Sequence, residues 1–466
     1  MEKYELIIIG GGAAAFAAAC RAWELGVKTA LINKGLPLGG TCLNVGCIPS
    51  KQLLEVAREY HYCRFPHFRS IRNTDRIEFD FREAVREKDE IVGYLRDTNY
   101  CDVITRFPNV TLYQAWARFI SPHQVEVDGA VLEGEKFIIT TGSRPRIIPF
   151  KGIERVHYLT NQEALSLERL PETMIVVGGG PLGLEFAQMY QRFGTRVAVL
   201  EREAQLLPKG EPEVGEEMER CLTDEGITIH TNASVQEVGE EGSLKMVDII
   251  VDGKRLALEA QELLLATGVV ANTDGLDLPK AGVQVDRQGF IVTDGEMRSS
   301  APHIHAAGDV AGKMMLEAVA AREGAIAASN ALEGAHRTLD YGTIPHAIFT
   351  DPQVASVGAT EEQLRQKQGA CISRTLRMAH VPKAKAQGET RGLIKMVVDP
   401  TTEAIMGVHI VSPLAAELIP EATLMVKHKL TLDDLLDTVY VCPTTAEAMK
   451  LVAQSFKRDI TRMSCC

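Results

Sequence analysis

The hydrophobic pattern opens on Leu6-Ile7-Ile8-Ile9, a continuous apolar run of the kind required by a parallel strand covered on both faces. Gly10-Gly11-Gly12 follows, then an alanine-rich stretch from Ala13, so the pattern predicts a strand, a tight turn and a helix in succession. The same phrase returns at Met174 to Val177, followed by Gly178-Gly179-Gly180-Pro181-Leu182-Gly183 and a helix beginning near Leu184. Each copy is answered later by an apolar strand ending in Thr-Gly: Phe137 to Thr141 with Gly142, and Leu263 to Thr267 with Gly268. Ile304-His305-Ala306-Ala307-Gly308-Asp309 reads as a further strand and turn that returns to the first unit after the second is complete. Beyond about Asp340 the pattern changes: strands Leu393 to Val398 and Ala404 to Val411 alternate with helices within Ala415 to Lys429 and Thr444 to Ser455. The expected fold class is α/β, with two Rossmann-like dinucleotide-binding domains and a C-terminal α+β domain. Their expected bounds are residues 1–144 with 272–339, residues 145–271, and residues 340–466.

In such loops the first glycine permits the turn, the second lets the backbone approach a pyrophosphate, and the third small residue lets helix pack on strand. The helix N-terminus presents N–H groups to the anion. One copy is a weak signal; two copies in matching contexts are a strong one. After the first loop, Ala30-Leu31-Ile32 ends at Asn33, where an acidic residue would be expected to hold a ribose. After the second, Val197 to Leu200 ends at Glu201, which favours NADH, while the neighbouring Arg202 leaves NADPH open.

Length and charge bound what these units serve. The 466 residues are about three domain lengths, and 45% hydrophobic with 24% charged residues describes an ordinary globular chain with sizeable cores. The net charge of -12, with Lys and Arg scattered, argues against nucleic-acid binding. The uncharged run Leu6 to Cys20 holds three consecutive glycines and is too short to span a bilayer, so no membrane association and a cytoplasmic location are expected. There, thiols stay reduced unless they are catalytic. The ten cysteines are unevenly placed: Cys42 lies close to Cys47, and Cys465 and Cys466 are the last two residues.

The segment Gly39-Gly40-Thr41-Cys42-Leu43-Asn44-Val45-Gly46-Cys47-Ile48-Pro49-Ser50-Lys51 is the most specific in the chain. Its cysteine spacing lets a loop and one helical turn bring the sulfurs within disulfide range, although two buried structural cysteines or half a zinc site would also use it. Together with both glycine loops, both Thr-Gly turns, Ala307-Gly308-Asp309 and Phe349-Thr350-Asp351-Pro352, it resembles the flavoprotein disulfide reductases over nearly the whole chain. The resemblance implies FAD on the first unit, NADH or NADPH on the second, and a homodimer whose active site is shared between subunits. It makes Cys47 the sulfur beside the flavin and Cys42 the exchanging thiol, with Lys51 paired to Glu185 and Asp309 on the ribityl chain. Gly10, Gly12, Ala14, Ala15, Gly40, Thr41, Lys51, Ala117, Gly142, Asp309 and Glu317 are then expected around the flavin cofactor. Gly178, Gly180, Gly183, Glu201, Arg202 and Gly268 complete the expected cofactor contacts.

General disulfide reductases of that family protonate the leaving thiol with a histidine in a His-Pro-Thr-x-x-Glu phrase. Here the phrase reads Cys442-Pro443-Thr444-Thr445-Ala446-Glu447. A thiol is a poor proton shuttle at neutral pH but a soft metal ligand. Leu451-Val452-Ala453-Gln454-Ser455-Phe456, Asp459 and the Ser464-Cys465-Cys466 ending resemble the tail of the family's mercury(II)-reducing branch. That resemblance implies Hg(II) as substrate, collected by Cys465 and Cys466, passed to Cys42 and Cys47 of the other subunit and reduced to Hg(0). It places Tyr100 near the inner site; Cys442 stands where a second tyrosine is expected, which makes it a candidate ligand and leaves Tyr440 to reach the same place. The extra N-terminal metal-binding domain of many such enzymes is expected to be absent. The rival readings are a thioredoxin-reductase-like enzyme with a second redox disulfide in its tail, or a non-catalytic thiol metal-binding protein.

Overall fold

The computed structural model describes residues 1–72 and 74–459, which form two compact units. Unit 1 comprises Met1–Gln52, Val85–Arg146 and Gly268–Tyr341; unit 2 comprises Leu53–Ala84, Ile147–Thr267 and the chain from Gly342.

In unit 1 a parallel sheet runs in the order Val110–Tyr113, Thr29–Ile32, Glu2–Ile9, Ala130–Ile139. The far edge of Ala130–Ile139 is shared: Gln124–Val127 pairs antiparallel along its first half, and Ile304–Ala306 pairs parallel along its last three residues. The predicted return of Ile304 to the first unit is therefore present. Leu6, Ile7 and Ile8 are wholly buried, which is why that run carries no polar alternation. Helix Ala13–Glu24 buries its alanines against helix Glu317–Glu333, and a Cβ on Gly324 would stand 2.1 Å from the Ala14 carbonyl oxygen. Only glycine lets the two helices approach this closely.

In unit 2 a second parallel sheet runs Thr228–His230, Arg196–Leu200, Thr173–Val177, Glu262–Leu265. The helix expected near Leu184 begins at Pro181, a residue suited to the first turn because its missing N–H would have no partner there. An antiparallel meander of Ala233–Glu241, Leu244–Val251 and Lys254–Ala260 was not legible in the hydrophobic pattern, because its outer strand is almost entirely exposed. A five-stranded antiparallel sheet comes next, in the order His346–Ile348, Gln353–Gly358, Ile405–Ser412, Leu393–Val398, Ile372–Arg377. Helices Ala415–His428 and Glu447–Lys457 bury one face against it around Ile394, Met396, Ile410, Met449 and Val452. Among the described residues no helix is long and apolar enough to cross a membrane.

Candidate redox site

The first glycine loop is shaped by close approach. Gly10 has φ +133°, and a Cβ there would meet the Thr140 carbonyl oxygen at 2.3 Å. Gly12 precedes helix Ala13–Glu24 with no side chain capping its N–H groups, so a helix N-terminus stands open to an anion. Gly40 has φ +60°, and its Cβ would lie 2.7 Å from Gly12 Cα, so the cysteine-bearing segment lies directly on the first glycine loop. Asn33, at the end of the second strand, gives its amide N–H to the Leu36 carbonyl at 3.1 Å. Asp309 is half-buried on the turn Asp309–Ala311; burial pushes its carboxyl up while the Ser143 hydroxyl, donating at 2.6 Å, opposes the shift. The preceding Gly308 donates its N–H to buried Glu323 at 2.7 Å. Gly142 has φ +70°, and Ala117 is a buried residue opening strand Ala117–Ser121. A cradle that any Cβ would fill, an uncapped helix N-terminus and a half-buried carboxylate fit a dinucleotide such as FAD.

The second loop repeats this geometry in unit 2. The Cβ of a residue replacing Gly178 would meet the Ala266 carbonyl oxygen at 2.4 Å, and one at Gly183 would meet the Gly178 oxygen at 1.9 Å. Gly180 precedes its helix without a side-chain cap. Buried Glu201 accepts the Gly179 N–H at 2.7 Å and the Glu203 N–H at 2.8 Å, so its carboxylate is held at the glycine loop. Arg202 is exposed and pairs with Glu203 at 2.8 Å. Gly268, with φ +96°, follows Thr267 in the chain.

The cysteine pair stands where two helices meet. Gly40–Val45 ends at Gly46, whose Cβ would lie 2.8 Å from the Thr41 carbonyl oxygen, and the next helix, Cys47–Arg64, starts at once. Both cysteines are half-buried free thiols. The Cys42 S–H donates to Cys47, which together with Lys51 one turn along the same helix pulls the Cys47 pKa down. That bond and burial push Cys42 up. The pair is polarised, with ionisation favoured at Cys47 over Cys42. The negative charge of Glu317, first residue of helix Glu317–Glu333, opposes ionisation of both. Tyr100 lies on a π turn, Asp97–Cys101, and packs edge-on against Phe16 at 4.7 Å between ring centroids. Burial, then the charge of Cys42, raises its pKa, so it stands within electrostatic reach of the pair. Cys42, Cys47, Lys51, Tyr100 and Glu317 are thus gathered in unit 1. Asn44 and Arg96 join them unforeseen: the Asn44 amide binds its own loop and accepts from Arg96 at 2.8 Å. An amide between two cysteines is a visible signal, whereas nothing around Arg96 marks it in the sequence.

The other expected residues lie in unit 2. Glu185 is buried on helix Pro181–Phe193 and accepts the Phe349 N–H at 2.8 Å. Cys442 is exposed between Val441 and Pro443, and Val439 and Val441 are 91% and 76% exposed, an unusual state for two valines. Glu447 accepts the Thr444 N–H at 2.9 Å, fastening the start of its helix. Tyr440 donates its hydroxyl to Glu421 at 2.6 Å, so that hydroxyl is committed within its own domain. Cys465 and Cys466 lie outside the described residues. Among the described residues no group of three His, Cys, Asp or Glu side chains gathers in a way that could hold a metal.

The sequence model of the pyridine nucleotide-disulphide oxidoreductases matches residues 4–324, and that of their dimerisation domain matches residues 344–453. The chain belongs to the pyridine nucleotide-disulphide oxidoreductase family. Membership makes it an FAD-dependent oxidoreductase that uses NAD(P)H. Mercuric reductase of Lysinibacillus sphaericus is 38% identical to it over 465 residues, covering 100% of this chain and 85% of that one. Mercuric reductase of Streptomyces lividans is 38% identical, covering 99% of this chain and 98% of its own. Among solved structures, the Cu(II) complex of the HOCl-induced flavoprotein disulfide reductase RclA from Escherichia coli superposes with a TM-score of 0.86 at 29% identity, covering 98% of this chain and 100% of that one.

Proposed function

We propose that the protein is a mercury(II) reductase, catalysing Hg(II) + NAD(P)H → Hg(0) + NAD(P)+ + H+. The observation that carries this reading is the pair of free thiols Cys42 and Cys47, held where helices Gly40–Val45 and Cys47–Arg64 meet, in a chain whose histidine position for disulfide chemistry is the exposed Cys442. Soft Hg(II) prefers two thiolates, and exchange from one cysteine pair to the next moves it without releasing the free ion. In this reading Cys465 and Cys466 collect the metal, Cys442 relays it, and Cys42 receives it before Cys47. When bound, FAD would supply two-electron transfer from the nicotinamide to Hg(II) held on this pair.

The chain's own residues do the rest. Lys51 and the start of helix Cys47–Arg64 hold negative charge on Cys47. Lys51 and Asp309 orient the flavin in this proposal. Tyr100 lines the metal's inner position, while Cys442 is the better candidate than Tyr440 for the opposite side, since Tyr440 is bound to Glu421. Exposed Val439 and Val441, in the region matching the dimerisation domain, suit burial against a second copy that would complete the site. Glu201 at the second loop, with Arg202 turned to Glu203, favours NADH over NADPH.

An anaerobic NADH titration followed by Hg(II) tests the proposal. Flavin absorbance should bleach on NADH and return on stoichiometric Hg(II), with elemental mercury in the headspace. Bleaching without recovery, and no volatile mercury, would sink it. The RclA likeness supports a second reading, a flavin disulfide reductase acting on another soft metal ion or on a disulfide; recovery with those oxidants but not with Hg(II) would favour it.

A further inference from the structure

We infer that Asn44 and Arg96 are positioning residues that hold the exchanging thiol Cys42 and the Tyr100 ring in one frame, an inference that rests on the redox-pair reading above.

Helix Gly40–Val45 is only six residues long and its N-cap, Gly39 with φ 97°, offers no side-chain hydrogen bond. So short a helix has no stability of its own. Asn44 ties the helix to the preceding loop instead: its Nδ2 donates to the carbonyls of Gly40 at 2.8 Å, Pro37 at 3.1 Å and Leu38 at 3.2 Å. Three acceptors around the nitrogen and a guanidinium at the oxygen leave one consistent orientation of the amide. The Oδ1 atom accepts Arg96 Nε at 2.8 Å.

Arg96 is the last residue of helix Phe81–Arg96, at the point where it passes into the π turn Asp97–Cys101. A π turn inserts a residue into the helix and rotates the residues beyond it, a device found at functional sites. Here it turns Tyr100 onto Phe16 of helix Ala13–Glu24, with the rings at 79°. Phe16 thus braces the ring, while Arg96 ties the turn's origin to the loop bearing Cys42. One guanidinium therefore links the loop bearing Cys42 to the turn bearing Tyr100. Outer partners of this kind are typically worth about 10- to 100-fold in affinity or activity, and a misplacement of about 1 Å can cost roughly 100-fold.

The test uses the FAD-loaded full chain and three measurements: NADH-dependent ferricyanide reduction, which needs no thiol; the iodoacetamide alkylation ratio of Cys42 to Cys47 in NADH-reduced protein; and Hg(II)-dependent NADH oxidation. Arg96→Met, close in length but without donors, should keep ferricyanide reduction within about twofold while shifting the alkylation ratio and lowering mercury turnover about tenfold. Arg96→Lys should restore most of both. Asn44→Leu should match Arg96→Met, and the double variant should be no worse than either, as expected for one unit. Should Arg96→Met fail to fold, Asn44→Asp carries the same test, since its carboxylate still accepts from Arg96 but is repelled by three carbonyls. An unchanged alkylation ratio, or ferricyanide reduction falling by the same factor as the ratio, overturns the inference. A shifted ratio in a protein that never evolves mercury upholds the positioning and refutes the mercury substrate.

Discussion

The two glycine loops are built from one phrase and put to different use. Gly10 and Gly178 both hold positive φ and both lie too close to a carbonyl oxygen to admit a Cβ. What differs is the neighbour across the loop. The first carries Gly40 and the redox segment on its back, with Asn33 spent on its own turn. The second carries Glu201, whose carboxylate reaches the loop's N–H. A shared backbone solution secures an anion; the adjoining side chains decide what the bound molecule is for.

Matched substitutions should separate the two. Gly10→Ala and Gly178→Ala each face backbone strain of roughly 3 kcal/mol, but with different losses. The first should yield protein without flavin absorbance; the second should stay yellow yet resist bleaching by NADH. A Gly178→Ala protein reduced by NADH at the parental rate would break the assignment of roles.

A second contrast concerns acid. In unit 1 His305 is 2% exposed, has no hydrogen-bond partner among the described residues, and is pushed down to about 4 by burial. In unit 2 His409 is pushed down to about 4 as well, but lies 3.6 Å from the Glu211 carboxylate. With a folded value near 4 and an ordinary value of 6.5, the unfolded chain binds the proton first. Stability from burying neutral His305 is therefore full above about pH 6.5 and lost as pH falls toward 4, by up to about 3 kcal/mol. His305→Phe should shrink the drop in urea midpoint, followed by flavin release, between pH 7 and pH 4.5. An unchanged drop would remove His305 as its source.

Glu201→Ala should raise the KM for NADH about tenfold and affect NADPH less, whereas Asn33→Ala should leave FAD content within about twofold. Equal losses with the two nicotinamides would show that Glu201 does not read the ribose. The smallest expected effect is at Glu317: because its charge opposes thiolate formation, Glu317→Gln should move the pH midpoint for alkylation of Cys47 downward, by about half a unit. A midpoint that moves upward would show that Glu317 does not bear on the pair.

Much of this is legible in the amino-acid sequence. Buried parallel strands announce themselves as unbroken apolar runs, and Gly10, Gly12, Gly178 and Gly183 mark the turns and close approaches of the two loops. The cysteine spacing narrows the chemistry without deciding it, since structural thiols or half a zinc site would use it too. The exposed meander strand Lys254–Ala260 leaves no trace, since it hides almost nothing from water. Arg96 leaves none either: its meaning comes from an atom fifty-two positions away, which no local pattern encodes. Tyr440 shows the opposite case, a residue whose place is foreseen but whose hydroxyl a neighbouring helix has already claimed.

Ile304–Ala306 completes the sheet of unit 1 only after Ile147–Thr267 of unit 2 has been made. On the ribosome, the sheet of unit 1 must wait with half an edge open along Ala130–Ile139 while the whole Ile147–Thr267 segment of unit 2 emerges and can fold. The order of synthesis thus sets the order of assembly: the inserted segment is ready before the sheet that precedes it can close.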